Sequence, residues 1–217
     1  MKILLFVLLA LPSLIHAAED GRISCRLLNF QRDGGGLDKL YVVDPASGEQ
    51  IECKVRRDKL SEPVRLPLAN GSLVFRLSPG DPEPASTAVV PKAIREALVL
   101  ILPSADKKQK FRTVVLDGSE KSFPESGCLV LNLYSENVRF ILGENKILLP
   151  SGKTVTLGRP EERDNFNMAG VIFQFNAKGE WRSAYESKSR FPKGQRHLYI
   201  SYVDPKTRRP KVRAYRD

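Results

Sequence analysis

The apolar residues of the chain fall in short segments that are rich in β-branched and aromatic side chains and are bounded by turn residues. Such segments are typical of β-strands, because amphipathic helices need longer stretches with a 3.6-residue period. The pattern therefore predicts an all-β protein, with one short helical turn over residues 92–97, after Pro91. Strands are predicted over residues 23–30, 39–43, 50–55, 63–68, 72–77, 98–102 and 112–116 in the first half, and over residues 127–135, 138–142, 146–149, 154–157, 171–175, 181–185, 198–203 and 212–215 in the second.

Short, similar sequence segments recur in the same order in the two halves of the chain. The matching pairs are residues 25–30 with 128–133, 47–51 with 151–155, 71–75 with 170–174, and 98–103 with 198–202. A duplication would produce two tandem Ig-like β-sandwich domains of about seven strands each, joined near residues 118–124. We expect these domains at residues 18–120 and 121–217, whereas one larger sandwich is the alternative.

The first residues have the pattern of a secretory signal. Met1-Lys2 precedes an apolar run over residues 3–15, and small residues follow at Ala17-Ala18, so cleavage is expected after Ala17. The alternative is an uncleaved anchor helix, but the run is interrupted by Pro12 and is shorter than the roughly 20 residues that span a bilayer. A signal peptide at residues 1–17 predicts an extracytoplasmic protein, periplasmic or secreted, without a transmembrane helix after cleavage.

Positive charge is concentrated in the last part of the chain. The whole sequence has 35 Lys and Arg against 25 Asp and Glu, and residues 178–217 alone hold 12 basic and 4 acidic side chains. Aromatic residues alternate with these basic residues in a predicted hairpin, where alternation places Lys211, Arg213 and Tyr215 on one face. Guanidinium groups bind phosphate, sulfate and carboxylate through paired hydrogen bonds. The candidate anion-binding residues are Arg182, Arg196, Lys206, Arg208, Arg209, Lys211 and Arg213.

The same basic residues have a second interpretation that involves no ligand. Lys and Arg on an edge hairpin prevent unwanted strand-to-strand pairing, and a solvated edge hairpin would need no further role.

The three cysteines allow two interpretations. Thiols tend to pair in an oxidising compartment, and a disulfide between Cys25 and Cys53 would join two predicted strands. The alternative is three buried, reduced thiols that pack as small apolar side chains. Cys128 has apolar neighbours and no adjacent basic group to stabilise a thiolate, so it is expected to be a buried thiol rather than a nucleophile.

The sequence has few groups for the common catalytic centres. His197 is the only histidine after His16, which excludes zinc sites with several histidines and leaves one candidate for a Ser-His-Asp arrangement. Alternation places it opposite Leu198 and Ile200, as a surface or partly covered strand residue. No cofactor, metal site or catalytic residue is therefore predicted, and we expect a protein that is not an enzyme. A hydrolase whose carboxylates are brought together by folding is the alternative class.

One glycine-containing turn superficially resembles the end of a phosphate-binding loop. It spans residues 150–154, but Ile147 stands where that motif requires its first glycine. The residues that follow alternate as in a strand rather than forming a helix with free N-H groups, so a hairpin turn is predicted.

Several short sequence segments of the second half resemble known proteins. These are residues 131–135 and 138–143, Leu149-Pro150-Ser151-Gly152, Trp181-Arg182 and Arg196-His197-Leu198. They resemble a group of uncharacterised exported bacterial β-sandwich proteins and are more distantly similar to the periplasmic accessory family of alginate O-acetylation. The likeness covers residues 123–217 and extends more loosely to the first half. It implies an accessory or binding role in the cell envelope, with no catalytic residues to carry over.

These observations lead to two functional hypotheses. The first is a secreted or periplasmic, non-enzymatic binding module that contacts another envelope component. The second is polyanion binding, to acidic glycan or phosphate, through the basic C-terminal hairpin. The expected partner is an envelope protein or an acidic glycan, since export argues against nucleic acid even though the charge would permit its binding at low salt.

Overall fold

The computed structural model describes residues 21–30, 37–104 and 109–217, and within these ranges it contains sixteen β-strands and no helix. The predicted signal peptide lies outside the described residues. The strands of the first half are β1 (Arg22–Asn29), β2 (Lys39–Val43), β3 (Gln50–Lys54), β4 (Val64–Pro67), β5 (Ser72–Arg76), β6 (Ser86–Val89), β7 (Glu96–Pro103) and β8 (Phe111–Asp117). Those of the second half are β9 (Cys128–Asn132), β10 (Val138–Leu142), β11 (Asn145–Leu149), β12 (Thr154–Leu157), β13 (Met168–Ala177), β14 (Glu180–Arg190), β15 (His197–Val203) and β16 (Pro210–Arg216).

The strands form four sheets of four strands each, and no sheet mixes strands of the two halves. Sheet A has the order β4-β1-β7-β8 and sheet B the order β3-β2-β5-β6, whereas sheet C is β12-β9-β15-β16 and sheet D is β11-β10-β13-β14. Adding eight to each strand number converts sheet A into sheet C and sheet B into sheet D. Both halves also contain one parallel pair, β1 with β7 and β9 with β15. The two halves therefore share one topology, and the all-β, two-sandwich prediction is confirmed.

Three details of the prediction differ from the structure. Each half has eight strands rather than about seven; in the first half the short strand β6 was missed among prolines, whereas all eight strands of the second half were located. Residues 92–97 form no helix: the Ile94 N-H donates to the Pro91 carbonyl at 2.9 Å in a single turn, and β7 begins at Glu96. The matched segments at residues 47–51 and 151–155 do not occupy equivalent structural positions, since the first joins β2 to β3 and the second joins β11 to β12.

The sheets stack as four layers in the order B, A, C, D. Apolar side chains of sheets A and B enclose an N-terminal core, and those of sheets C and D enclose a C-terminal core. Between them, sheets A and C face each other across a central core that includes Leu28, Leu98 and Leu100 from sheet A and Leu198 and Ile200 from sheet C. Strands β7 and β15 are consequently buried on both faces, which explains why they are nearly continuous apolar runs.

Polar contacts join the two sandwiches at the edge of the central core. Both terminal nitrogens of Arg26 donate to the carboxylate of Asp217, and Arg26 Nε donates to the Ser61 carbonyl at 2.9 Å.

Within the described ranges, no helix is long and apolar enough to cross a membrane.

All three cysteines are buried and free, which corresponds to the second interpretation of the sequence. Cys25 and Cys53 lie in the N-terminal core and Cys128 lies in the C-terminal core. Burial raises the pKa of each thiol to about 12, so none carries the thiolate that a nucleophile requires.

Candidate anion-binding surface

The predicted basic hairpin exists, and its turn is built around Asp204. The Arg208 N-H donates to the Asp204 carbonyl at 2.7 Å, and the Asp204 N-H donates to the Arg209 carbonyl at 2.9 Å. The Asp204 carboxylate accepts a further bond of 3.0 Å from the Lys206 N-H. Arg208 consequently adopts a left-handed backbone with a φ of 56°. The turn between β2 and β3 has the same construction, with Gly48 in the left-handed position.

Lys211 is committed to this turn rather than free for a ligand. Its Nζ lies 2.6 Å from the Asp204 carboxylate, which is only 1% exposed. A buried carboxylate without its partner would be strongly destabilising, so Lys211 neutralises Asp204 and maintains the hairpin.

Arg213 packs on aromatic rings between the two sandwiches. Lys211, Arg213 and Tyr215 lie on one face of β16, since they pair in register with Tyr202, Ile200 and Leu198. This face looks toward the first half: the guanidinium of Arg213 lies 5.1 Å from the ring centroid of Phe30 and 5.7 Å from that of Tyr202. Cation-π contact and partial burial make Arg213 a structural residue.

The other two candidates lie away from the hairpin turn. Arg196 precedes β15 at the opposite end of the strand, where it contacts Glu120 at 2.5 Å and its guanidinium lies 5.5 Å from the ring centroid of Phe123. Arg182 is on β14 of sheet D and pairs with Glu180 at 3.4 Å. The structure therefore does not bring all seven candidates together.

Three of the seven remain as a continuous exposed group, which we call the hairpin tip: Lys206, Arg208 and Arg209. They project from one six-residue turn, and neither Arg208 nor Arg209 has a carboxylate within 4.0 Å among the described residues. The sequence placed these residues correctly in a turn. It gave no signal for the partners of Arg196 and Arg213, because Glu120, Phe123 and Phe30 are distant from them in sequence.

His197 is more deeply placed than the sequence predicts. It faces away from Leu198 and Ile200 as expected, but it is 1% exposed rather than a surface residue. The rings of Phe191 and Tyr199 cover it, with centroid distances of 4.4 and 6.0 Å. Desolvation, reinforced by the charge of Arg216, lowers the pKa of His197 to about 4, so its imidazole is neutral at pH 7.

A large cavity in the N-terminal half does not have the features of a carboxylate-based active site. It has a volume of about 960 Å³ and lies beside the edge strand β3. Arg56 hydrogen-bonds Asp58 and lowers the pKa of that carboxyl, and Lys39 lies 3.6 Å from Glu52. A general acid would need a raised carboxyl pKa. In the described part of the chain, no group of three or more His, Cys, Asp or Glu side chains is placed to hold a metal ion.

Comparison with known proteins adds no family assignment. The chain matches no protein-family model and no curated protein sequence. The resemblance to exported sandwich proteins and to the accessory family of alginate O-acetylation therefore stays a prediction.

Proposed function

We propose that this protein is a non-enzymatic binding module of the cell envelope, periplasmic or secreted, and that its partner is an anionic envelope component such as an acidic glycan. The export expectation rests on the signal-like residues 1–17, and the binding role rests on the hairpin tip. The observation that carries the proposal is the exposed group Lys206, Arg208 and Arg209 on a rigid turn, in which neither arginine has a carboxylate within 4.0 Å among the described residues.

The support of the hairpin tip favours binding over a purely protective role. The turn is closed by backbone bonds of 2.7 and 2.9 Å, and the Asp204–Lys211 ion pair fixes its base. A pre-formed cationic turn loses little conformational entropy when it binds a polyanion. Edge protection alone needs only scattered lysines along the strand.

The test is retention on a polyuronate matrix, whose repeating carboxylates represent an acidic glycan. The full chain is compared with a triple variant, Lys206→Gln, Arg208→Gly and Arg209→Gln, which keeps Lys211 and Arg213 in their structural roles. Glycine at position 208 suits the left-handed backbone. We expect retention of the wild-type protein near physiological salt and elution of the variant at much lower salt.

The matched control removes three charges from exposed lysines at the opposite end of the C-terminal sandwich, by Lys121→Gln, Lys146→Gln and Lys193→Gln. This variant has the same net charge as the hairpin-tip variant. Equal loss of retention in both variants would show that retention depends on net charge and not on the hairpin tip. Absence of wild-type retention would also reject the proposal.

A further inference from the structure

A polar cleft of about 470 Å³ lies where the edge strand β14 of sheet D approaches the edge strand β16 of sheet C. Three basic side chains from separate segments line it: Lys188 on β14, Arg216 on β16 and Lys59 in the loop after β3. The cleft thus combines cations from both sandwiches. It uses none of the hairpin-tip residues and lies at the other end of β15 and β16.

Positive charge in this cleft is incompletely neutralised. Its one acidic residue, Asp58, is engaged by Arg56 at 3.2 Å. Lys188 lies 3.5 Å from Asp164, whereas Lys59 and Arg216 have no carboxylate within 4.0 Å among residues 21–30, 37–104 and 109–217. Cations gathered in this way raise the local concentration of anions.

The buried wall of the cleft is formed by His197, whose two ring nitrogens make no hydrogen bond within 3.5 Å and interact only weakly with the backbone of Gly127 and Arg190. Buried polar groups in folded proteins are almost always fully hydrogen-bonded, so an imidazole that lines a cavity without a full hydrogen bond at either nitrogen can still bond to a ligand. The hydroxyl of Tyr199, two residues along the same face of β15, is also buried and makes no hydrogen bond within 3.5 Å, although the Ser189 side chain interacts with it. Ser189 and Ser187 add hydroxyl groups from β14.

The first sandwich shows that the fold itself does not need these groups. His197 pairs in register with Cys128 and with Arg216. The equivalent residue in sheet A is Ala97, which pairs with Cys25 and Asp117. One copy of the topology thus has an alanine and an acid where the other has an imidazole and a guanidinium. The imidazole and the guanidinium at this position are therefore a feature of the second sandwich alone.

We propose that this cleft binds a phosphate group, with Arg216, Lys188 and Lys59 as charge partners and His197 as a buried hydrogen-bond donor. Guanidinium and ammonium groups make short, charge-assisted bonds to phosphate oxygens. The volume is far larger than the roughly 30 Å³ that one water occupies, so it also admits the organic part of a phosphate monoester.

Bound phosphate would also change the protonation of His197. The charged groups that face it are Arg216, Lys188, Lys59 and Asp58. Of the neighbouring titratable groups, Tyr199 and Cys128 are neutral at pH 7, because burial raises the pKa of both. A nearby anion favours the imidazolium, so bound phosphate should raise the pH at which His197 titrates.

The experiment follows the His197 ring signals by NMR during addition of inorganic phosphate to the full chain, at constant ionic strength set with chloride. We expect a saturable shift and an increase of about one unit in the His197 pKa at saturation. Arg216→Gln should weaken binding about tenfold, and Lys59→Gln provides a second variant if the first does not fold. Lys146→Gln, outside the cleft, should leave the affinity unchanged.

A second titration uses glycerol 3-phosphate to identify the source of the phosphate group. Tighter binding than for inorganic phosphate would identify a phosphate monoester, and weaker binding would identify the free anion; both results support the site. The proposal is overturned if neither compound gives a saturable shift up to about 50 mM. It is also overturned if Arg216→Gln and Lys59→Gln fold and bind phosphate as the wild-type protein does. These results do not affect retention on polyuronate. Phosphate binding in the cleft and polyanion binding at the hairpin tip can therefore be refuted independently of each other.

Discussion

Acidification provides a quantitative test of the buried, neutral state of His197. The residue is 1% exposed, and its pKa is lowered to about 4 in the folded protein, from 6.5 in the unfolded chain. The unfolded state therefore binds a proton at a higher pH than the folded state does. Stability that is fully present above the unfolded pKa is lost as the pH falls toward the folded pKa, because protonation favours the unfolded chain.

The size of this loss follows from the difference between the two pKa values. Each pH unit between them corresponds to about 1.4 kcal/mol, which gives about 2 kcal/mol of lost stability at pH 5 and about 3 kcal/mol at pH 4. The assay is urea unfolding of the wild-type protein and of His197→Gln between pH 7.5 and pH 4, in chloride without phosphate or sulfate. Carboxyl groups with lowered pKa values, such as Glu144, titrate in both proteins.

The informative quantity is the difference between the two pH profiles, because glutamine does not titrate and His16 is common to both proteins. We expect the free energy of unfolding of the wild-type protein to fall by about 2 kcal/mol more than that of His197→Gln between pH 7.5 and pH 5. Parallel profiles would refute the buried, neutral imidazole and would also remove the main support for the phosphate cleft.

Three further predictions concern the layers and the turn. Ile200→Ala, in the central core, should lower the free energy of unfolding by about 2–4 kcal/mol and leave one cooperative transition in calorimetry; two separate transitions would show that the sandwiches unfold independently. Arg208→Gly should raise stability by about 0.5–1 kcal/mol, measured by urea unfolding, because glycine relieves the left-handed φ of 56°; a decrease would contradict this strain. A thiol reagent at pH 8 should label no cysteine in the folded protein and Cys25, Cys53 and Cys128 after unfolding, whereas one labelled thiol would indicate a Cys25–Cys53 disulfide.

Most of the fold could be predicted from the sequence because strand signals are local. Apolar alternation and turn residues located fifteen of the sixteen strands, and only β6 escaped. Its sequence, Ser86-Thr87-Ala88-Val89, alternates buried and exposed positions, but its buried residues are small and give little hydrophobic signal. Strand β14 extends to Arg190, beyond its predicted end, because pairing with β13 continues through polar residues.

The arrangement of the sheets depends on contacts that are remote in sequence. Two-sided burial of β7 and β15 leaves a trace as continuous apolar runs, yet those runs do not specify which sheet covers the second face. Prediction of the candidate binding sites from the sequence is limited in the same way, because their contacts are also remote in sequence. The sequence indicated the basic turn at residues 204–209, but it could not show that Asp204 engages Lys211 or that Lys59 approaches β16.

The central core has a consequence for how this architecture arose. Equivalent positions of the two copies meet there: Leu98 with Leu198 and Leu100 with Ile200 contribute to the same apolar layer. A surface that packs against its own counterpart is isologous, as in a symmetric homodimer. Linkage of two such copies in one chain makes that association independent of protein concentration. It also frees each copy to acquire residues that the other lacks.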